Sequence, residues 1–104
     1  MADGRSRVAC VVVTYDALPW IERCLESVVG VDTVVVDNGS GDGTVDLVRE
    51  RFPAVRVVES ENRRLSAGWN TGIEATDAEH VLLLNADAWL VEGALPALVV
   101  AADR

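Results

Sequence analysis

The residues able to do chemistry in this 104-residue chain fall into four short groups rich in carboxylate and amide side chains. They are Thr14-Tyr15-Asp16, then Asp37-Asn38, then Glu59, Glu61 and Asn62, and last Asn85-Ala86-Asp87. One such group alone is an ordinary turn former or helix cap, and that reading suits Asp16 and Asp42. Polar groups at all four places imply a shared task. Several carboxylates on one rim repel a phosphorylated ligand unless a cation lies between them. A hard divalent ion, Mg2+ or Mn2+, takes one or two protein carboxylates and completes its shell with phosphate oxygens and water. Asp87 is the candidate metal ligand, with Asn85 beside it as a neutral oxygen donor or hydrogen-bond donor. The pattern fits a metal-bridged nucleotide diphosphate better than a bare phosphate.

These groups need a scaffold that brings them to one place, and the hydrophobic pattern supplies it. Val8–Thr14 is a β-branched, almost unbroken apolar run, as expected of a strand buried on both faces of a parallel sheet. Pro19 suits the first turn of a helix whose apolar residues Ile21, Leu25 and Val28 share one face, and Gly30 suits its end. A second strand follows at 33–37 and then a glycine-rich loop at 38–43. A second helix carries Val45, Val48 and Phe52, with Asp42 or Thr44 as cap and Pro53 beyond its end. The third strand is expected at 55–59 and the third helix at 66–76, leaning on Trp69 and Ile73. The fourth strand is expected at 81–84 and the last helix from about Gly93. Strand and helix alternate four times, which predicts an α/β fold with a doubly wound, mostly parallel sheet. In such sheets ligands bind outside the carboxyl ends of the strands, where all four polar groups fall.

Composition narrows the function. One domain spanning 1–104 is all the length allows. Half of the residues are hydrophobic, enough for one core. The net charge is −8 and there is no lysine, which excludes a nucleic-acid binder relying on a basic face. No apolar run approaches the roughly 18 residues of a membrane span. The polar start, Met1 to Arg7, does not read as a signal peptide, so a cytoplasmic protein, with peripheral membrane contact left open, is expected. Cys10 and Cys24 have no metal-ligand spacing and read as small buried hydrophobes.

Other phosphate-binding plans fail on particular residues. A P-loop needs a lysine, and a dinucleotide fingerprint needs GxGxxG where this chain has Tyr15-Asp16-Ala17-Leu18-Pro19-Trp20. A receiver domain also relies on a lysine. Asp42-Gly43-Thr44 is similar to a segment of haloacid-dehalogenase phosphatases, but Ser40 stands where their nucleophilic aspartate belongs.

The ordered set of segments resembles family 2 inverting glycosyltransferases. Val11-Val12-Val13-Thr14-Tyr15 and Val34-Val35-Val36-Asp37-Asn38-Gly39-Ser40, with Asp42-Gly43-Thr44, resemble that family's opening. Ser66, Ala67, Gly68, Asn70 and Gly72 look like its third block. Leu82-Leu83-Leu84-Asn85-Ala86-Asp87 looks like its DxD metal motif with Asn for the first Asp. The NxD form and the Asn-Gly-Ser loop lean toward a rhamnosyltransferase-like branch. Family members often carry glycine where this chain has Arg64, so the turn there is expected to be bulkier.

The resemblance implies the N-terminal half of a GT-A fold that binds a UDP- or dTDP-sugar with a divalent metal. It implies that Thr14 and Tyr15 line the nucleoside pocket and that Asp37 or Asn38 bonds the pyrimidine edge or ribose. Asp87 would hold the metal on the diphosphate, Asn85 would assist, and Arg63 or Arg64 could reach the phosphates. Trp69 reads as core, whereas Trp89 is close enough to Asp87 to flank a sugar. The general base of an inverting transfer is expected beyond Arg104, leaving this chain able to bind donor but not to transfer it. A glycan or lipid-linked acceptor would then belong to the longer enzyme. The family's strand order of three, two, one, four would leave the fourth strand at an edge, open to self-association. Two alternatives stand beside this reading: a non-catalytic binding or interaction module, and a nucleotidyltransferase-like domain. The latter normally has a basic, glycine-rich loop after the first strand.

Overall fold

The computed structural model describes residues 8–61 and 64–103. Eight elements alternate: β1 (Val8–Thr14), α1 (Leu18–Glu26), β2 (Asp32–Asp37), α2 (Thr44–Arg51), β3 (Arg56–Glu59), α3 (Leu65–Glu74), β4 (His80–Leu83) and α4 (Ala94–Ala102). All strand pairs are parallel and the order is β3-β2-β1-β4. This is the α/β plan expected from the alternation of elements and the strand order that the resemblance implies.

β1 is the centre of the sheet, and every one of its residues is buried. Alternation along it separates two cores. Cys10 and Val12 face Ile21, Cys24 and Leu25 of α1 together with Val35 and Val48. Val11 and Val13 join Val34 and Val36 on the other face, against which Trp69 of α3 packs. Each fully buried valine or leucine side chain contributes about 1.5–3 kcal/mol relative to exposure, so these two cores carry most of the apolar stabilisation.

α3 meets the sheet differently from the sequence reading. Ile73, expected in its buried stripe, is 40% exposed, and the buried residues of the helix are Gly68 and Gly72. A Cβ on Gly72 would stand 2.1 Å from Val11 Cγ1, and one on Gly68 would stand 2.8 Å from Val13 Cγ2. The two glycines, one helical turn apart, let the helix backbone lie directly on the valines of β1. Trp69, between them in sequence and expected in the core, is partly buried and packs against it.

α4 is the exception to this close packing. It is almost wholly apolar, Ala-Leu-Pro-Ala-Leu-Val-Val-Ala-Ala, yet none of its residues is buried. Spaces of about 370 and 200 Å³ adjoin it, one shared with Val29 and Val31, the other with Val8 and Leu82. No described helix is long and apolar enough to cross a membrane.

Candidate donor-binding site

The site begins where β1 and β2 end side by side. Thr14 and Asp37 are register partners, and the Thr14 hydroxyl donates to Asp37 Oδ1 at 2.7 Å. Asp37 Oδ2 accepts the backbone N–H of Gly39 at 3.1 Å and of Ser40 at 2.8 Å, and the Ser40 hydroxyl donates to Oδ1. Four donors thus converge on one carboxylate that is 2% exposed. The chain turns away from β2 because this carboxylate holds the start of the glycine-rich loop.

Two further carboxylates brace the same loop. Asp16 Oδ1 accepts from the Gly41 N–H at 2.8 Å, while the Asp16 N–H donates to Ser40 Oγ at 2.8 Å. Asp16 has φ +49°, and its reciprocal pair of hydrogen bonds holds it in that left-handed conformation. Asp42 Oδ1 accepts from the N–H and hydroxyl of Thr44, and its Oδ2 accepts from the Leu18 N–H at 3.1 Å. These bonds, that from the Thr44 hydroxyl foremost, hold the Asp42 carboxyl below its ordinary pKa. The residue flanking α2 is Gly43 at φ +93°, so Asp42 acts one residue earlier than a simple cap and ties α1 to α2 at once.

The expected acidic rim is therefore mostly an internal scaffold. Asp16, Asp37 and Asp42 accept hydrogen bonds from the protein itself, and Glu59 pairs with Arg49 at 3.1 Å. Fewer carboxylates face a ligand than the sequence count implies, which lowers the repulsion toward a diphosphate. Spacing along the chain reveals only part of this, because Gly39, Ser40 and Thr44 donate locally whereas the bonds joining Asp16 to Ser40 and Gly41, and Asp42 to Leu18, span 24 or 25 positions.

Asp87 is different. Leu84, 7% exposed, anchors the end of β4 with its N–H on the Val11 carbonyl at 3.0 Å. The Ala88 N–H then closes a turn onto the Asn85 carbonyl at 2.9 Å, so Asn85-Ala86-Asp87 leaves the sheet as a tight exposed loop. Val13, Tyr15, Ala17 and Trp20 from the β1–α1 side join Asn85, Ala86 and Asp87 around an open cleft of about 330 Å³. Asp87 is the carboxylate lining it, and Tyr15 and Trp20, each 51% exposed, present aromatic rings. One exposed carboxylate beside an amide oxygen fits a hard divalent ion that draws its remaining ligands from phosphate and water.

α1 supports this loop from beneath. Cys24 Sγ lies 3.6 Å from the Asn85 carbonyl oxygen as a weak donor. Burial, then the neighbouring Asp87 charge, pushes the Cys24 thiol up to about 11. Arg23 stacks on the Trp89 ring, with Cζ 3.8 Å from its centroid. That cation–π contact occupies a face of the ring the sequence reading offered to a sugar. Neither Arg23 nor Cys24 is legible in the sequence as part of the site, since only the fold brings α1 beneath a loop so distant in sequence.

The remaining expected residues distribute as follows. Tyr15, Asn85 and Asp87 share the cleft. Thr14 and Asp37 lie behind it, wholly or nearly buried, as the brace just described. Asn38 is 3% exposed, and among the described residues its Oδ1 is a buried oxygen with no hydrogen-bond partner. A buried amide oxygen left this way costs roughly 1–3 kcal/mol, which a ligand donor would offset. Arg64 is exposed at the start of α3. Arg63, together with Asn62, lies outside the described residues.

A parallel sheet ordered β3-β2-β1-β4, with its polar residues gathered at the carboxyl ends of the strands, defines an open α/β domain. Residues 9–104 match the family model "Glycosyl transferase family 2". The chain belongs to that family. It is 31% identical over 94 residues to EpsH of Bacillus subtilis, covering 80% of this chain and 26% of that protein. It is 29% identical over 102 residues to the glycosyltransferase AglE of Haloferax volcanii, covering 83% and 34%. Among solved structures, the mannosyltransferase PcManGT of Pyrobaculum calidifontis, in complex with GDP-Man and Mn2+, superposes with a TM-score of 0.81. That match has 31% identity over 93% of this chain and 32% of that one. S. aureus TarS 1-349 in complex with UDP-GlcNAc shows the same fold at a TM-score of 0.81 and 21% identity, over 93% of this chain and 31% of that one. The chain therefore spans about a quarter to a third of these proteins' lengths.

Proposed function

We propose that the chain binds a nucleotide-diphospho-sugar, a UDP- or dTDP-sugar, in the cleft between Tyr15 and Asp87, as the donor half of an inverting glycosyltransferase. The carrying observation is that cleft, which places an aromatic floor and one exposed carboxylate side by side at the strand ends. Family membership supports the reading, as does the likeness to a solved mannosyltransferase holding GDP-Man and Mn2+. Asp87, with Asn85, would hold Mg2+ or Mn2+. The ion would supply positive charge that stabilises the departing nucleoside diphosphate. Tyr15 offers a ring face to the base and a polar tip to the ribose. Asn38 would complete its unsatisfied oxygen on a base or ribose donor, with Thr14 and Asp37 fixing the backbone that presents it. Arg63 or Arg64 would approach the phosphates.

On this reading the rhamnosyltransferase-like branch remains our assignment, carried by Asn85 in place of the first aspartate of DxD and by the loop Asn38-Gly39-Ser40. We assign no described residue as the base that an inverting transfer requires. A glycan or lipid-linked acceptor would engage a longer enzyme, with cytoplasmic placement at or near a membrane.

Isothermal titration of UDP, dTDP, GDP and uridine, with Mn2+ or with a chelator, tests the proposal. UDP or dTDP should bind more tightly with Mn2+, and Asp87→Ala should remove that difference while leaving uridine binding intact. Tyr15→Ala should weaken uridine and UDP alike. A preference for GDP would overturn the pyrimidine assignment. Unchanged Mn2+ dependence in Asp87→Ala would overturn the metal assignment.

A further inference from the structure

At the opposite end of β4 from Asp87, three metal-ligating side chains converge. Glu79 precedes the strand, His80 is its first residue, and Asp103 follows the last turn of α4. Their ligand atoms all lie within 4.8 Å of one another, and His80 Nε2 stands 2.9 Å from Asp103 Oδ1. We propose that this cluster is a second divalent-metal site, for a borderline transition-metal ion of the Zn2+ type, that fastens α4 to the edge of the sheet. It is independent of the donor site.

The chemistry of the donor set separates it from the cleft. An imidazole with two carboxylates suits Zn2+ and its neighbours, whereas Mg2+ and Mn2+ favour oxygen ligands such as Asp87 offers. Around a tetrahedral zinc, ligands held at about 2.0–2.2 Å sit roughly 3.4 Å apart. The His80–Asp103 pair, at 2.9 Å, must open by about half an ångström, and pairs as wide as 4.8 Å must close by up to roughly 1.4 Å, shifts that partly exposed side chains reach by rotation. Water would complete the fourth position.

Two features of α4 give the ion a role. The helix has no buried residue and is bordered by unfilled spaces, so packing holds it weakly. Asp103 also places a carboxylate at the C-terminal, partially negative end of the helix, where a cation is favoured and an anion is not. A metal there would satisfy the helix end and join it to β4.

His80 is the chain's single histidine, so its imidazole can be followed without assignment ambiguity. Zn2+ titrated into the 104-residue chain should shift the His80 ring resonances saturably at sub-millimolar concentration. Mg2+ at equal concentration should leave them in place. Hydrogen exchange should slow over residues 99–103 in the zinc-bound form. Glu79→Gln combined with Asp103→Asn should weaken Zn2+ binding at least about tenfold, and Asp87→Ala should not. Absence of a zinc-dependent ring shift, or an equal shift in the double variant, would overturn the proposal in favour of a simple histidine–aspartate pair.

Discussion

The Thr14 hydroxyl donates to the Asp37 carboxylate across the buried ends of β1 and β2, at 2.7 Å. The same carboxylate takes the Gly39 and Ser40 N–H groups, so it fastens two strands and a loop together. Asp37→Ala should cost about 3 kcal/mol, since it strips one buried and three part-buried donors of their acceptor at once. Thr14→Val should cost about 1.5–3 kcal/mol, the share of one bond to a charged group. Urea unfolding monitored by circular dichroism measures both. A loss under about 1 kcal/mol for Asp37→Ala would show that the carboxylate is not the brace described.

Gly72 offers a second test, in which propensity and packing pull in opposite directions. Alanine in a helix interior normally gains up to about 1 kcal/mol over glycine. Here its Cβ would lie 2.1 Å from a valine methyl on a buried strand. Overpacking of that kind costs about 1–3 kcal/mol, so Gly72→Ala should destabilise on balance. Combining it with Val11→Ala should recover part of the loss, because the methyl it strikes is then gone. Thermal unfolding of the two single variants and the double variant gives the coupling directly.

These two residues also show what could be read from the chain before its fold. The valine runs of β1 and β2 declared themselves, because a strand buried on both faces leaves a continuous apolar signature. Strand order followed from the resemblance, whereas the cleft joins Tyr15 to Asp87 and not, as expected, to Asp37 and Asn38. The face of α3 was not legible. Apolar periodicity pointed to Ile73, but the close approach uses residues with no side chain, which such a pattern cannot register. Asp37 was legible as a rim residue but not as a brace, since an aspartate's neighbours decide whether it faces a ligand or a loop. Glu79, His80 and Asp103 were invisible for a similar reason: two are adjacent, and the third is brought back only by α4.

The cysteines give a pH-dependent outcome. Burial, with a smaller contribution from Cys24, pushes the Cys10 thiol up from 9.0 to about 12, and Cys24 rises to about 11. Both should resist a thiol reagent such as DTNB at pH 8 in the native protein and react only on unfolding. Because the folded values are raised, their contribution to stability is complete below about pH 9. It is lost as pH climbs toward 11 and 12. Cys10→Ala should flatten that alkaline decline, measured as urea midpoint against pH. Rapid DTNB reaction of the native chain would contradict the burial.

Self-association is expected at the β4 edge. Leu83 is 45% exposed there, and α4 adds exposed Leu98 and Val100. An apolar edge strand is a template for another chain. Light scattering coupled to size-exclusion chromatography should show a dimer or larger species at tens of micromolar. Substituting Leu83→Lys should shift it toward monomer. A monomer at high concentration would rule this out.

The register of the sheet also sets the order in which it can assemble. β1 meets β2 after a short crossover, but its pairing of Val8 with His80 waits for most of the chain to be gathered in. Closing that long segment costs more entropy than closing the β1–β2 unit, and distant pairings slow folding. The nucleus should therefore comprise β1, α1 and β2, with β4 docking last. The NxD loop, which hangs from the late-arriving strand, would be among the final parts of the molecule to become ordered, so a nascent chain acquires its brace at Thr14 and Asp37 before its cleft.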